Sequence, residues 1–407
     1  MQIADDKTRS AAIPSLFILV IMVSVGPFGD TEYIPSLPGI ARSLGVAYGA
    51  TQLTMTTYLF GYGFSELLYG PFSDRFGRKP VMLFGAAVFI IGSLICFTSF
   101  NIQQLLAGRF VQALGSCAGG VISSAAIRDA FPEDQRAKVF AKRDAAFAIA
   151  PGLGPIIGSF VDHQFGWHAN FLVLIILALV LFISVWWFFP ETNLALNREA
   201  LDSKVIFRNY YSILKDPYFI PYLIVIGLCI GVVYSTLIEA PALIINMLNL
   251  TSNWFAVVAG GVVVSFIIGS LVFTILTNRI SDNSIITSGL FVMLIGSLLL
   301  ALFVGTGQIT FMSMVGPIMI IIAGVALVAP PAMADALEPF KHVTGSASAM
   351  MGFIQFFIAG LSTLVVSTLH QGRSVAVPLF FGGLSLLAIL VFAGLVIARK
   401  GRKRSIV

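Results

Sequence analysis

Twelve runs of roughly twenty mostly apolar residues take up most of this chain. They lie at about 12–36, 50–71, 80–99, 103–126, 140–161, 170–189, 219–242, 255–277, 285–305, 309–331, 345–368 and 376–398. A helix rising about 1.5 Å per residue needs about 20 residues to cross roughly 30 Å of hydrocarbon. In that solvent the backbone must bond to itself, so each run is expected to be a helix. Composition agrees, with 57% of the 407 residues hydrophobic and only 11% charged, against about half and about a quarter in a soluble domain. The first run follows DDKTRS and is succeeded by eleven more, so it is expected to stay as a helix and not to be cleaved as a signal peptide.

The longest polar stretch runs from Pro190 to about Pro217 and divides the spans six and six. The expected domains are an N-terminal bundle (1–190), a cytoplasmic linker (191–217) and a C-terminal bundle with a basic tail (218–407). Such a division suits a transporter that rocks two halves around a midplane site. If both termini are inside, all 24 Lys and Arg fall on the cytoplasmic side except Arg42, Arg373 and the intramembrane Arg109, as the positive-inside rule requires. The net charge of +5 then reports topology and not nucleic-acid binding, and the tail ARKGRKR reads as a headgroup contact.

Cys96, Cys117 and Cys229 lie in apolar runs without metal-ligand spacing, and the four His residues fall near span ends. No Ser/His/Asp arrangement or nucleotide loop is present, so neither enzyme activity nor a metal or cofactor is expected, only a proton gradient.

Charge is concentrated in one short gap between two long apolar runs, YGPFSDRFGRKP at 69–80, where it stays at the membrane interface. Gly70 is expected to allow close helix approach and Gly77 to supply a turn that a side chain would penalise. TNRISDNS, with Arg279 and Asp282, is a degenerate echo at the corresponding place in the second half. GPFSDRFGRKP resembles the signature loop between spans two and three of the major facilitator superfamily, filling every specified position through Gly70, Phe72, Ser73, Asp74, Arg75, Gly77, Arg78 and Lys79. The resemblance implies the major facilitator fold, all-α with twelve transmembrane helices in two six-helix bundles. It also implies a cytoplasmic gate, with Asp74 meeting the start of the eleventh helix near Thr344 and Ser346. The basic residues would meet acids, with Arg128–Asp129 and Glu133–Asp134 as the loop partners.

LLAGRFVQALGSCAGG resembles the fourth-span motif of proton-coupled members, through Arg109, Gln112 and Gly115. FAIAPGLGPIIG resembles the fifth-span motif of antiporters, through Gly152, Gly154, Pro155 and Gly158. Physically, Gly154 and Gly158 make a GxxxG packing face, while Pro151 and Pro155 weaken the helical ladder and favour a bend. YIPSLP, AAIRDAFPEDQRAKVF, GWHANF and GSASAMMGFIQF extend the resemblance to the bicyclomycin and chloramphenicol resistance group of drug:proton antiporters. Thr31 stands where that group usually has Asp, Glu66 where it usually has Gln, and His168 where Arg is common.

An exporter driven by protons needs an intramembrane carboxylate. Asp30 and Glu32, two residues apart, project roughly 200° apart on a helix, so one of them faces a central cavity. Asp30 is the first candidate and Glu32 the second, with Arg109 at a comparable depth. Glu66 is expected beside the gate or at the surface, and Glu239 at the periphery. Tyr58, Tyr62, Gln112, Met351, Gln355 and Phe356 are candidate cavity walls, with Met350 beside them.

The function expected is proton-coupled efflux of small amphipathic drugs by a monomer in a bacterial inner membrane, both termini cytoplasmic. Its partners would be a drug-like substrate, protons and lipid. The alternative is an exporter of an endogenous metabolite or siderophore on the same scaffold; a non-transporting sensor would be expected to carry a long cytoplasmic domain.

Overall fold

The computed structural model describes residues 12–243, 248, 250, 253–340, 343–369 and 375–404. DDKTRS, Lys341, His342, His370 and Arg373 lie outside the described residues, as do the tail side chains beyond Arg399. Regular structure among the described residues is helical. The first half holds α1 (Leu16–Thr31), a 3-10 turn at Ile34–Ser36, α2 (Leu37–Leu44), α3 (Tyr48–Phe76), α4 (Arg78–Phe97), α5 (Ile102–Ser116), α6 (Ala118–Ala130), α7 (Glu133–Phe165) and α8 (His168–Phe188). After α9 (Ser203–Leu214), inside the polar stretch, come α10 (Phe219–Pro241), α11 (Asn253–Leu276), α12 (Asp282–Thr306), α13 (Phe311–Leu337), α14 (Thr344–Leu369) and α15 (Ala376–Arg404).

Eleven spans among the described residues are long and apolar enough to cross a membrane. α3 is the twelfth helix, at 29 residues, and its length is sufficient. Its composition is not, because Thr51, Gln52, Thr54, Thr56 and Ser65 are buried along it. Those groups meet protein instead of lipid, which is how a polar helix can sit inside a bilayer protein.

Helices outlast the apolar runs that announce them. The first run was expected to end at 36, but the span continues through Pro35 in its 3-10 turn to Leu44. The fourth is two helices, α5 and α6, that meet at Cys117. α7 starts a full two turns early at Glu133, where acidic residues suit the positive end of the helix dipole.

Within the first half α1 packs on α7, α4 on α5 and α8, and α3 on α5; within the second, α12 packs on α13 and α15, and α10 on α13 and α14. The halves meet along two main seams, α3 against α14 and α7 against α11, and between them along the outer part of α10, which touches α2 and the 3-10 turn and is bonded to α1 and α3. Phe84, Phe160, Trp187, Leu271 and Leu390 are exposed on the outside, as hydrocarbon-facing positions should be. The end of the molecule that carries Arg75, Arg78, Arg128 and Arg136 is called the basic face below, and the opposite end the far face.

Candidate functional site

The charged cluster at 69–80 is scarcely a loop. Asp74 and Arg75 finish α3, Arg78 and Lys79 begin α4, and only Gly77 interrupts, at a φ of 98°, a conformation costly for any residue with a Cβ. Arg78 donates back to Asp74 at 2.5 Å and across to Asp129 on α6 at 2.9 Å. Glu191, from the linker, accepts the backbone N–H of Arg78 at 2.9 Å and of Lys79 at 3.1 Å. It therefore satisfies donors that a helix start leaves orphaned.

Four expectations about this cluster need correction. Arg75 donates to the carbonyl of Arg198 at 3.3 Å and not to an acid. Glu133 and Asp134 stay in the first turn of α7, exposed, and only Asp129 of the proposed loop acids pairs with the cluster. Gly70 does not serve close helix approach, because a Cβ there would meet nothing. Asp74 makes no hydrogen bond to α14; it is half-exposed, and it shares the wall of an open cavity with Thr344 and Ser346.

That cavity, of about 710 Å³, opens between the halves at the basic face. Tyr62 and Glu66 on α3 and Met351, Gln355 and Phe356 on α14 line it, with Arg128 and Arg143 among the lining residues of α6 and α7. Glu66 is thus a cavity residue and not a surface one. Two expected wall residues are not: Tyr58 and Gln112 are fully buried behind it. The ring of Tyr58 covers Arg109, and its hydroxyl is engaged by Ser116 at 2.6 Å, so α3 turns it inward while Tyr62, one turn on, faces the opening. Met350 is buried as well.

Beyond the cavity the halves are closed on one another. The ring of Tyr62 packs tilted against that of Phe356, centres 4.5 Å apart, and the Phe356 ring lies 6.3 Å from that of Tyr234 on α10. Tyr234 in turn donates to Asp30 at 2.8 Å. Towards the far face Thr56 meets Thr363 at 2.9 Å, Tyr48 donates to the Ile238 carbonyl at 2.6 Å, and Gln52 donates to Glu239 at 3.0 Å. Glu239, expected at the periphery, is therefore part of the seam.

Arg109 is fully buried, its guanidinium carbon 4.1 Å from the ring centres of both Tyr33 and Tyr58. One amino group donates to the Gly29 carbonyl at 3.0 Å and to Gln112 at 2.5 Å; Nε and the other amino group have no partner. Among the described residues no ion pair joins it to Asp30 or Glu32. The two acids diverge, as their spacing requires. Asp30 reaches across the seam to Tyr234, with its second oxygen unpaired; Glu32 points into the first half, with neither oxygen paired.

The glycines of α7 explain that divergence. A Cβ on Gly154 would lie 2.5 Å from the Thr31 hydroxyl and 3.0 Å from the Glu32 nitrogen, and one on Gly158 would stand 3.0 Å from the Glu32 Cγ. The GxxxG face therefore seats the end of α1, while Gly152 abuts Val263 of α11 in the other half and Pro155 is buried between them. α7 is helical throughout, through both prolines.

Several participants escaped the sequence. Tyr234 was hidden in an apolar run, where a lone phenol was its only signal. Glu191 lies in a stretch read as linker.

The profile of the Major Facilitator Superfamily matches residues 16–363. An uncharacterized transporter of Rickettsia bellii is 30% identical over 406 residues, covering 96% of this chain and 98% of its own. A bicyclomycin resistance protein homolog of Haemophilus influenzae is 26% identical over 379 residues, covering 93% and 95%. Among solved structures, a D-xylose-proton symporter aligns with a TM-score of 0.74 at 17% identity, over 93% of this chain and 96% of that one.

Proposed function

The chain belongs to the Major Facilitator Superfamily, and from that premise we propose that it exchanges protons for small amphipathic drugs, of the chloramphenicol or bicyclomycin kind, across a bacterial inner membrane. The positive-inside rule makes the basic face cytoplasmic, so the cavity is open to the cytoplasm in this conformation. The observation that carries the reading is the bond from Tyr234 to Asp30, which ties the two halves together next to the inner end of the cavity.

A hydrogen bond to a charged carboxylate is roughly twice as strong as one between neutral groups. A deprotonated Asp30 therefore holds the far side shut, and an empty carrier stays inward-facing. A proton on Asp30 weakens the tie. A substrate pressing on Tyr62 and Phe356 disturbs Tyr234 and weakens it by another route. Crossing then requires one passenger or the other, the alternation an exchanger needs. Arg109, held between Tyr33 and Tyr58 and bonded to the Gly29 carbonyl next to Asp30, places a fixed positive charge in the same half.

The test is proton movement in energised inside-out vesicles. Adding an amphenicol or a bicyclomycin-like compound is expected to draw protons from the lumen. No response to any such compound, with expression verified, would overturn the reading.

A further inference from the structure

Of the three acids that line the cavity, Asp74 and Asp144 are paired with arginines, and Glu66 is left without a role in the exchange scheme. Glu66 stands one turn along α3 from Tyr62 and lines the same wall. Gly352 of α14 lies directly against it, a Cβ there falling 2.8 Å from its carboxyl carbon, so the second half leaves room for this side chain and little more. No Lys, Arg or His comes within ion-pair distance of the Glu66 carboxylate among the described residues. The arginines that share the lining are engaged or lie further out. Arg143 is bound to Asp144 and Ser124, Arg78 to Asp74 and Asp129, and Arg128 lies a turn beyond Ser124 towards the basic face.

One turn on from Gly352, Gln355 has its Oε1 buried without a donor. The inner end of the cavity thus offers a carboxylate, an amide oxygen in want of a donor, and the faces of Tyr62 and Phe356. Acceptors and aromatic faces recognise positive charge on an apolar body. We infer that Glu66 is a specificity residue that selects organic cations among the compounds this protein exports. The inference rests on the export reading and deepens it: Asp30 carries the exchange, and Glu66 chooses the passenger.

The test uses the purified full chain in nanodiscs, with tetraphenylphosphonium as the cationic probe and chloramphenicol as the neutral one. Glu66→Gln is expected to weaken tetraphenylphosphonium binding at least about tenfold, the scale of one charge–charge attraction over a few ångströms in a partly buried site. Chloramphenicol binding should stay within about twofold, which also shows that the variant is folded, and Glu66→Asp should retain cation binding. Unchanged cation binding in Glu66→Gln would overturn the inference. So would loss of both probes, since Glu66 would then be holding the fold. If the wild type binds chloramphenicol alone, the export reading stands and this inference falls. If it binds neither, both fall.

Discussion

Tyr234 on α10 donates its phenolic hydrogen to the Asp30 carboxylate on α1 at 2.8 Å, so the two halves are joined through a group that can take up a proton. Substituting Tyr234→Phe keeps the ring beside Phe356 and removes only the donor. A hydrogen bond to a charged group is worth about 1.5–3 kcal/mol, enough to shift the balance of conformations roughly tenfold or more. The expected result is proton leak in vesicles without substrate, together with a smaller substrate-driven response.

Arg109 sits between two tyrosine rings and donates to Gly29 and Gln112. Lys has the charge but not the flat guanidinium that fills that slot. Arg109→Lys is therefore expected to lose at least about tenfold in transport rate while remaining in the membrane, as one misplaced charge-assisted contact implies. Uptake of substrate into inside-out vesicles measures it.

The far-face seam can be locked. Thr56 and Thr363 face each other at 2.9 Å across the halves. In a background with Cys96, Cys117 and Cys229 replaced, Thr56→Cys with Thr363→Cys should crosslink under oxidation. Transport should stop and return with reductant, because alternating access requires this contact to open.

Gly158 admits no side chain against the end of α1. Gly158→Val should push α7 away and cost about 1–3 kcal/mol by overpacking, read as a lower melting temperature of the purified protein. Glu32, which that glycine seats, should lose its position with it.

Much of this was legible in the chain before its structure. Apolar length announced all twelve spans, because hydrocarbon thickness is fixed and a helix satisfies its own backbone there. The twelfth, α3, was legible by length but buries its polar groups against protein. The turn at Gly77 and an Arg109 at the depth of Asp30 followed from local chemistry, and the pairing of a basic residue of the cluster with Asp129 from the resemblance. Tyr234 did not, since its partner lies 204 residues away on the other half. Nor did the different role of Tyr58, expected like Tyr62 as a cavity wall, because one helical turn decides whether a phenol covers an arginine or faces a cavity. Glu191 was missed for a similar reason: a helix cap supplied from 113 residues away leaves no local pattern.

The central claim is that Asp30, and not Glu32, couples proton to substrate. Glu32 is seated against Gly154 and Gly158 in the first half, and among the described residues its carboxylate has no hydrogen-bond partner, whereas Asp30 is bonded across to the other half. The most direct measurement compares substrate-induced proton movement in inside-out vesicles carrying wild type, Asp30→Asn or Glu32→Gln at equal membrane expression. The account predicts a response in wild type and Glu32→Gln and none in Asp30→Asn. A full response in Asp30→Asn would contradict it.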